Sequence, residues 1–233
     1  RRRLGMFEAI WGEHKTSEQI ASILKKVRLA GELALVTRVK PSKACELEKL
    51  IENSQFHSIA RCVTLGAPAE SQPSLGEVVV LSGGTSDLSV AAEAELALRC
   101  HGIQVETLLD VGVAGIHRLL EQLEKLKQAK VLIVCAGMEG ALPTVLAGLV
   151  PQPIIGVPVP LEHLKGMDSL LSIVQMPRGV PVATVAIGGA ENAAILAAEI
   201  LAIQDEDLKT RLRNWRNTLT ETVLLDPNSR GAV

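Results

Sequence analysis

Short apolar runs alternate with longer amphipathic segments along most of the chain, and this alternation is regular from residue 77 onward. The short runs are rich in β-branched residues and predict strands, whereas the longer segments have a helical period. Strands are predicted at 78–81, 103–109, 130–135, 153–157 and 182–187, and helices at 87–100, 116–129, 140–149, 167–175 and 190–203. Such an alternation predicts an α/β fold, a three-layer sandwich with a parallel sheet between two layers of helices.

The first 66 residues have a different pattern, which predicts a small α/β domain. Thr16 and Gln19 have the spacing of a capping box, and the helix that they begin is expected to end at Gly31. A strand at 33–39, a helix at 41–51 and a strand at 59–65 follow. These strands are too few to bury both faces of a sheet, so we expect the domain to pack on the rest of the chain.

Residues 67–76 have the composition of a linker, and we predict a main domain over 77–233. This domain is expected to end in a charged helix from residue 205. The apolar residues of that helix form one stripe, which suits contact with a neighbouring element or a partner subunit: Leu208, Leu212, Trp215 and Leu219.

Composition excludes several classes of function. Hydrophobic residues make up 47% of the chain but include only two Phe, two Trp and no Tyr, so the core must consist of close-packed aliphatic side chains. A net charge of −2 and the scarcity of aromatic residues argue against nucleic-acid binding, and no apolar run is long enough to span a membrane. The four cysteines lack metal-ligand spacing, so no metal site is predicted. We expect reduced thiols in a cytoplasmic protein, and no cofactor.

Ligands of parallel sheets bind beyond the carboxyl ends of the strands. The rule selects five loops: Ser82–Asp87, Asp110–Arg118, Ala136–Pro143, Val157–Asp168 and Ile187–Asn192. In the first loop a strand turns sharply into a helix, whose amino end is a natural seat for a phosphate. A capped turn that binds no ligand has the same local pattern and is more common than a phosphate site.

Few residues in these loops can perform chemistry. His117 has a side chain suited to acid–base catalysis near neutral pH, but it also fits a simple helix cap, and Arg118 also fits a surface ion pair. A carboxylate at Glu139 is favoured by the dipole of the helix that follows, with or without a ligand. Cys135 ends a buried strand and is expected to be an inert core thiol. His163 fits either a lid residue or a solvated side chain.

Two families resemble different parts of the sequence. The segments Met167–Gly188, Gly156–Val159 and 192–201 resemble the aminoimidazole ribonucleotide carboxylase/mutase, PurE, whose similarity runs from about Gly76 to the end of the chain. The segments 12–16, 35–39, 110–118 and 136–143 are similar to the nickel-pincer cofactor carboxylase, LarB. The combination resembles the cyanobacterial circadian phase modifier proteins. The resemblance implies a flavodoxin-like or Rossmann-like sheet of the PurE type.

The resemblance also implies roles for individual residues. The PurE turn that holds a ribose phosphate matches Gly84, Thr85, Ser86 and Asp87, with further contacts from Arg118 and from the backbone at Gly137 and Met138. His117 matches the proton-transferring histidine of PurE, and Glu139 matches the base of LarB. Two family residues are replaced: a PurE histidine by the segment 138–141, and the cysteine nucleophile of LarB by Gln175-Met176-Pro177. A thioether cannot form the covalent adduct that a thiolate forms.

These features imply two functions from different classes. The first is a nucleotide-binding protein of circadian clock output, with a ribonucleotide or AMP-like ligand and a clock-pathway protein as partner. The second is an active carboxylase or carboxylate mutase, which acts on aminoimidazole ribonucleotide or on nicotinate adenine dinucleotide with CO2 or bicarbonate. PurE relatives form octamers, and the apolar helix faces lead us to expect a homo-octamer here as well.

Overall fold

The computed structural model describes residues 9–29, 31, 33–68 and 70–225, with the backbone alone described for 218–225. Two sheets organise these residues, one of four strands in the first part of the chain and one of five strands in the rest.

The first sheet contains β1 (Ile10–Trp11), β2 (Ala34–Thr37), β3 (Ser54–His57) and β4 (Cys62–Leu65), in the order β1-β2-β4-β3. Two helices, α1 (Ser17–Leu29) and α2 (Pro41–Leu50), pack together beside it. The capping box is confirmed: the amide of Gln19 donates to Thr16 Oγ1 (3.2 Å), and the amide of Thr16 donates to Gln19 Oε1 (2.9 Å).

The predicted strand at 59–65 is wrong in its first half. The chain forms a hairpin of β3 and β4 instead, and Arg61 lies in the turn with a left-handed φ of 52°. The strand β3 is too polar for its pattern to reveal it, and β1 has only two residues. Both strands form because β2 and β4 offer them partners in the folded chain.

The second sheet contains β5 (Glu77–Ser82), β6 (Gln104–Leu108), β7 (Val131–Ala136), β8 (Ile154–Pro158) and β9 (Ala183–Thr184). All are parallel, in the order β6-β5-β7-β8-β9. The predicted α/β class and parallel sheet are therefore confirmed. This is the flavodoxin-like order, in which the direction of winding reverses between β5 and β7, and ligands bind at that reversal.

The helices of the second part are α3 (Leu88–Cys100), α4 (Ile116–Leu120), α5 (Leu123–Leu126), α6 (Ala141–Ala147), α7 (Met167–Val174), α8 (Ala190–Leu201) and α9 (Glu206–Leu225). The single helix predicted at 116–129 is wrong, because the chain breaks it into α4 and α5. At the break the amide of Gln122 donates to the carbonyl of Leu119, three residues back, which tightens the turn. Leu119 and Leu126, on either side of the break, are both buried in the core.

Alternate residues of the central strands face opposite layers. Val78 and Val80 pack with α3 and α8, whereas Val79 and Leu81 pack with the layer of α4 to α7. Burial on both faces explains why these strands are continuous apolar runs. The helices α3 and α8 contact each other through fully buried alanines, so small side chains take the place of aromatic bulk: Ala91, Ala94, Ala97, Ala193 and Ala197.

The two parts of the chain share a core. Leu35 of β2 and Cys62 of β4 belong to the same buried cluster as α3 and β5, which confirms that the first sheet packs on the rest. The boundaries at 66 and 77 stay a prediction. Leu208 and Leu212 of α9 are buried in that cluster with Trp215 packed against it, so the tail stripe covers the chain's own core; the Leu219 side chain lies outside the description. None of the described helices is long and apolar enough to cross a membrane.

Candidate functional site

The loops after β5, β6, β7 and β8 meet at the reversal point of the sheet. The amide of Val111 donates to the carbonyl of Ser82 (3.0 Å), which ties the second loop to the end of β5. A Cβ on Gly112 would lie 2.5 Å from the carbonyl oxygen of Gly83, so only glycine permits this approach. We call the space above the ends of β5 and β7 the crevice.

The turn at 83–87 is braced by one buried carboxylate. Oδ2 of Asp87 accepts hydrogen bonds from the amides of Gly83 (3.1 Å) and Gly84 (3.0 Å). Burial raises the pKa of Asp87, while the hydrogen bond from Gly84 and those from Ser86, Gly83 and Gly137 act to lower it. Asp87 is only 4% exposed and therefore shapes the turn from within.

The side chains of Thr85 and Ser86 are the open part of this turn. Both are exposed, whereas Asp87 beneath them is buried. Their N–H groups begin the 3₁₀ turn that leads into α3, where backbone donors have no acceptor within the turn itself. Free donors and hydroxyls at the start of a thirteen-residue helix form a surface that suits a phosphate.

Arg118 lies beside the crevice, where it lines a space of about 330 Å³ with Asp110 and the end of β6, and it is already paired. Its Nη1 donates to Oδ2 of Asp110 (2.9 Å), and both side chains are about half exposed. A Cβ on Gly115 would lie 2.7 Å from Nη2 of Arg118, so the guanidinium folds back over this glycine. A guanidinium has five N–H donors, so the ion pair leaves donors for a ligand. The surface ion pair and the phosphate role are compatible.

The loop after β7 closes the other side of the crevice. A Cβ on Gly137 would lie 3.1 Å from Oδ1 of Asp87 and 3.0 Å from Leu161, so three loops meet at this glycine. Met138 and Gly140 have positive φ, of 47° and 56°, and the tight turn that results exposes Met138 and Glu139.

The acid–base candidates are at the rim. His117 is exposed on the first turn of α4, and the 3₁₀ turn before it packs against α6, which follows Glu139. His163 is exposed in the segment between β8 and α7. Both His117 and Glu139 are therefore accessible to a ligand.

Neither Cys135 nor Met176 can supply a thiolate nucleophile at the crevice. Cys135 is fully buried at the end of β7, and burial, together with the charges of Asp87 and Glu93, raises its pKa far above neutral pH. The thiol therefore stays protonated, as expected of a core cysteine. Met176 is half-buried, and its sulfur accepts a hydrogen bond from Thr144 Oγ1 (3.2 Å).

Sequence reasoning missed a second polar space, which we call the cleft. It measures about 260 Å³ and lies between the first sheet and α3. Arg38 and Arg61 line it from one side, and Ser86 and Glu93 from the other. The available signal was Glu93 itself, a charged residue on the buried alanine-rich face of α3.

Comparison with known proteins agrees with this architecture. The sequence model described as AIR carboxylase matches residues 77–222, and the one described as the LarB/PurE-like N-terminal domain matches residues 1–67. The N5-carboxyaminoimidazole ribonucleotide mutase of Methanocaldococcus jannaschii is 44% identical over 149 residues, which are 63% of this chain and 92% of that protein.

Further relatives extend the comparison. The enzyme of the same description from Escherichia coli K12 is 47% identical over 131 residues, which are 53% of this chain and 78% of that protein. Among solved structures, Treponema denticola PurE superposes with a TM-score of 0.59 at 25% identity, covering 67% of this chain and 99% of that one. The family match spans more than half of the chain, and the chain belongs to the AIR carboxylase family.

Proposed function

We propose that the crevice binds a ribonucleotide and that the protein adds or moves a carboxyl group on its base. The braced turn at 83–87 carries this proposal: it presents free N–H groups and the hydroxyls of Thr85 and Ser86 at the sheet's reversal point. Gly84 and Asp87 shape the turn, Arg118 contributes a cation, and the backbone at Gly137 and Met138 forms the opposite wall.

Carboxyl transfer to a ring carbon forms a carbon–carbon bond and releases the proton of that carbon to a base. In a carboxylase CO2 supplies the carboxyl group; in a mutase the nitrogen–carboxyl bond of the substrate breaks and the nitrogen takes up a proton. We assign proton transfer to His117 and a supporting carboxylate to Glu139, because both are accessible on neighbouring loops. Leu161 of the segment 156–168 lies against Gly137 at the crevice, and exclusion of water by this segment would protect a labile carboxylate from loss. The curated relatives are named as mutases of a carboxylated aminoimidazole ribonucleotide, which supports this substrate class.

The test is turnover with isotope-labelled bicarbonate and aminoimidazole ribonucleotide, with nicotinate adenine dinucleotide as the second substrate. Label should appear in the base, and His117→Asn should abolish it while AMP binding persists. The matched control is His14→Asn, an exposed histidine in the first part of the chain, outside the crevice loops. Label transfer that survives in His117→Asn would remove this residue from the mechanism.

A second candidate is a nucleotide-binding regulator of circadian output, in which the crevice senses a ribonucleotide and a clock-pathway protein reads its state. Two observations favour it: Met176 stands where the LarB resemblance implies a cysteine, and the turn 137–140 has no imidazole. Absence of turnover with both substrates, combined with an AMP-induced rise in melting temperature, would support this candidate over the enzyme.

We also propose a cytoplasmic homo-octamer. The segment Leu164–Val174 exposes four large apolar side chains, each about half exposed, which a second copy would cover: Leu164, Met167, Leu171 and Val174. Light scattering of the purified chain tests this, and a monomer would contradict it.

A further inference from the structure

The cleft lies between the two parts of the chain and carries charges from both. Glu13, Arg38 and Arg61 belong to the first part, whereas Ser86, Ser89 and Glu93 belong to the turn and first helix of the second. Ser86 also belongs to the braced turn, so the cleft and the crevice are neighbours that share one hydroxyl.

Arg38 is a cation held in a fixed position. Its backbone has a left-handed φ of 56°, and its guanidinium carbon lies 4.3 Å from the ring centre of Trp11. Nη2 donates to the carbonyl of Gly188 (3.0 Å), and Nη1 lies 3.6 Å from Glu13 Oε2. These contacts use part of the five-donor fork, so N–H groups remain for a ligand.

Arg61 is a cation whose backbone is anchored and whose side chain is not. The amide of Val39 donates to its carbonyl (2.7 Å), and its own amide donates to the carbonyl of Ser58 (3.3 Å). Within the described residues its guanidinium makes no ion pair and no hydrogen bond, although it is exposed at the cleft.

Glu93 faces the two arginines from α3. It is only 8% exposed, yet among the described residues its carboxyl group makes no hydrogen bond and no ion pair within 4 Å. Its carboxyl oxygens are open to the cleft, so they keep acceptor capacity for a donor that enters it. A hydroxyl or amino group of a ligand would supply that donor.

We propose that the cleft is a second ligand subsite, which takes a phosphate group against Arg38 and Arg61 and a hydroxyl or amino group against Glu93. Its volume, about 260 Å³, is below the roughly 300–1,000 Å³ of pockets that hold complete drug-sized ligands, so it fits a phosphorylated fragment. The inference rests on the proposed function in one respect, because Ser86 links the subsite to the ribonucleotide turn.

The phosphate can come from two sources. It is either a separate small ligand, such as a nucleoside monophosphate, or the second phosphate of a dinucleotide that also occupies the crevice. Calorimetric titration of the full chain with AMP and with nicotinate adenine dinucleotide separates them. Binding of two AMP molecules per chain would indicate a separate ligand in the cleft. Binding of one dinucleotide per chain, with an affinity that falls on substitution in either the crevice or the cleft, would indicate a single ligand that occupies both.

Arg61→Gln is the decisive variant, because within the described residues its guanidinium makes no hydrogen bond and no ion pair and only a longer-range attraction to Glu93 is lost. We expect affinity for the cleft ligand to fall about tenfold or more, as for loss of a charged hydrogen bond. Arg213→Gln, the same change on the exposed face of α9, is the matched control and should leave affinity unchanged. Adenosine, which lacks the phosphate, should bind both proteins equally.

Arg118→Gln separates this inference from the proposed function. If Arg118→Gln loses binding while the affinity of Arg61→Gln stays within twofold of wild type, the subsite is wrong and the ribonucleotide site remains supported. Loss in Arg61→Gln alone supports the subsite and contradicts the ribonucleotide crevice. A change in tryptophan emission on ligand binding that disappears in Trp11→Phe would place the ligand beside Arg38.

Discussion

The crevice and the cleft each contain a buried carboxyl group from the same helical region, and the two groups have different surroundings. Asp87 receives hydrogen bonds from the amides of Gly83 and Gly84, which offset part of its desolvation. Glu93 receives none, and burial raises its pKa to about 7, with Glu191 adding to the rise and Arg38 and Arg61 opposing it. Backbone donors thus make one carboxylate a structural brace, whereas their absence leaves the other able to titrate near neutral pH.

The largest expected effect tests whether the carboxylate of Asp87 stabilises the turn at 83–87. Asp87→Ala leaves the amide of Gly84 without its acceptor and the amide of Gly83 with only a longer bond to the carbonyl of Cys135 (3.4 Å), so the free energy of unfolding should fall by about 3 kcal/mol. Asp87→Asn keeps an oxygen at this position and should cost about 1 kcal/mol. Urea unfolding measures both values. Equal losses in the two variants would show that the charge, and not the acceptor, stabilises the turn.

The next effect tests the titration of Glu93. Its folded pKa, about 7, exceeds the ordinary value of 4.5, so its contribution to stability is present below about pH 4.5 and is lost as pH rises through 7. Glu93→Gln removes that loss, so its free energy of unfolding should exceed that of the wild type by about 3 kcal/mol at pH 8 and differ little from it at pH 4. Arg38, Arg61 and Glu191 are the charges that face this group.

Urea unfolding across this pH range measures the difference. The matched control is Glu95→Gln, which breaks a pair with Arg99 on the same helix, a contact worth less than about 1 kcal/mol. A stability difference between Glu93→Gln and wild type that does not change with pH would contradict the titration.

A smaller effect tests the contact between the first two loops of the crevice. Gly112→Ala places a Cβ 2.5 Å from the carbonyl oxygen of Gly83, and relief of this clash should cost about 2 kcal/mol and weaken AMP binding. Gly84→Ala is the control for the loss of stability, because its φ of −152° suits any residue and a Cβ there meets nothing within 4 Å. Thermal unfolding and calorimetry report the two consequences separately.

The smallest effect concerns the exposed ion pair of the crevice. Asp110→Asn should change the free energy of unfolding by less than about 0.5 kcal/mol, since exposed pairs contribute little and Asn tolerates the left-handed φ of 58°. Release of Arg118 from its partner should tighten AMP binding severalfold. Weaker AMP binding in this variant would mean that Asp110 holds Arg118 in the binding orientation.

Sequence patterns predicted the parts of the fold that depend on burial along one segment. The central strands β5, β7 and β8 were predicted because burial on both faces makes each an unbroken apolar run. The edge strands β6 and β9 are not such runs and were predicted from the alternation of elements, and β9 is shorter than predicted. The strand β3 was missed because its stability comes from pairing with β4, and the break between α4 and α5 was missed because Leu119 and Leu126 keep the helical period across it. The turn at 83–87 was predicted, but the inward direction of Asp87 was not.

The amino-acid sequence by itself determined the α/β class, the five parallel strands and the loops at their carboxyl ends, because hydrophobic period and turn chemistry are local properties. Only the tertiary structure decided that Arg38 and Arg61 face Glu93 across a cleft, since these residues come from separate elements. The same holds for the glycines that let three loops meet at Asp87. Charges and close approaches between distant segments exist only once the two parts of the chain share a core.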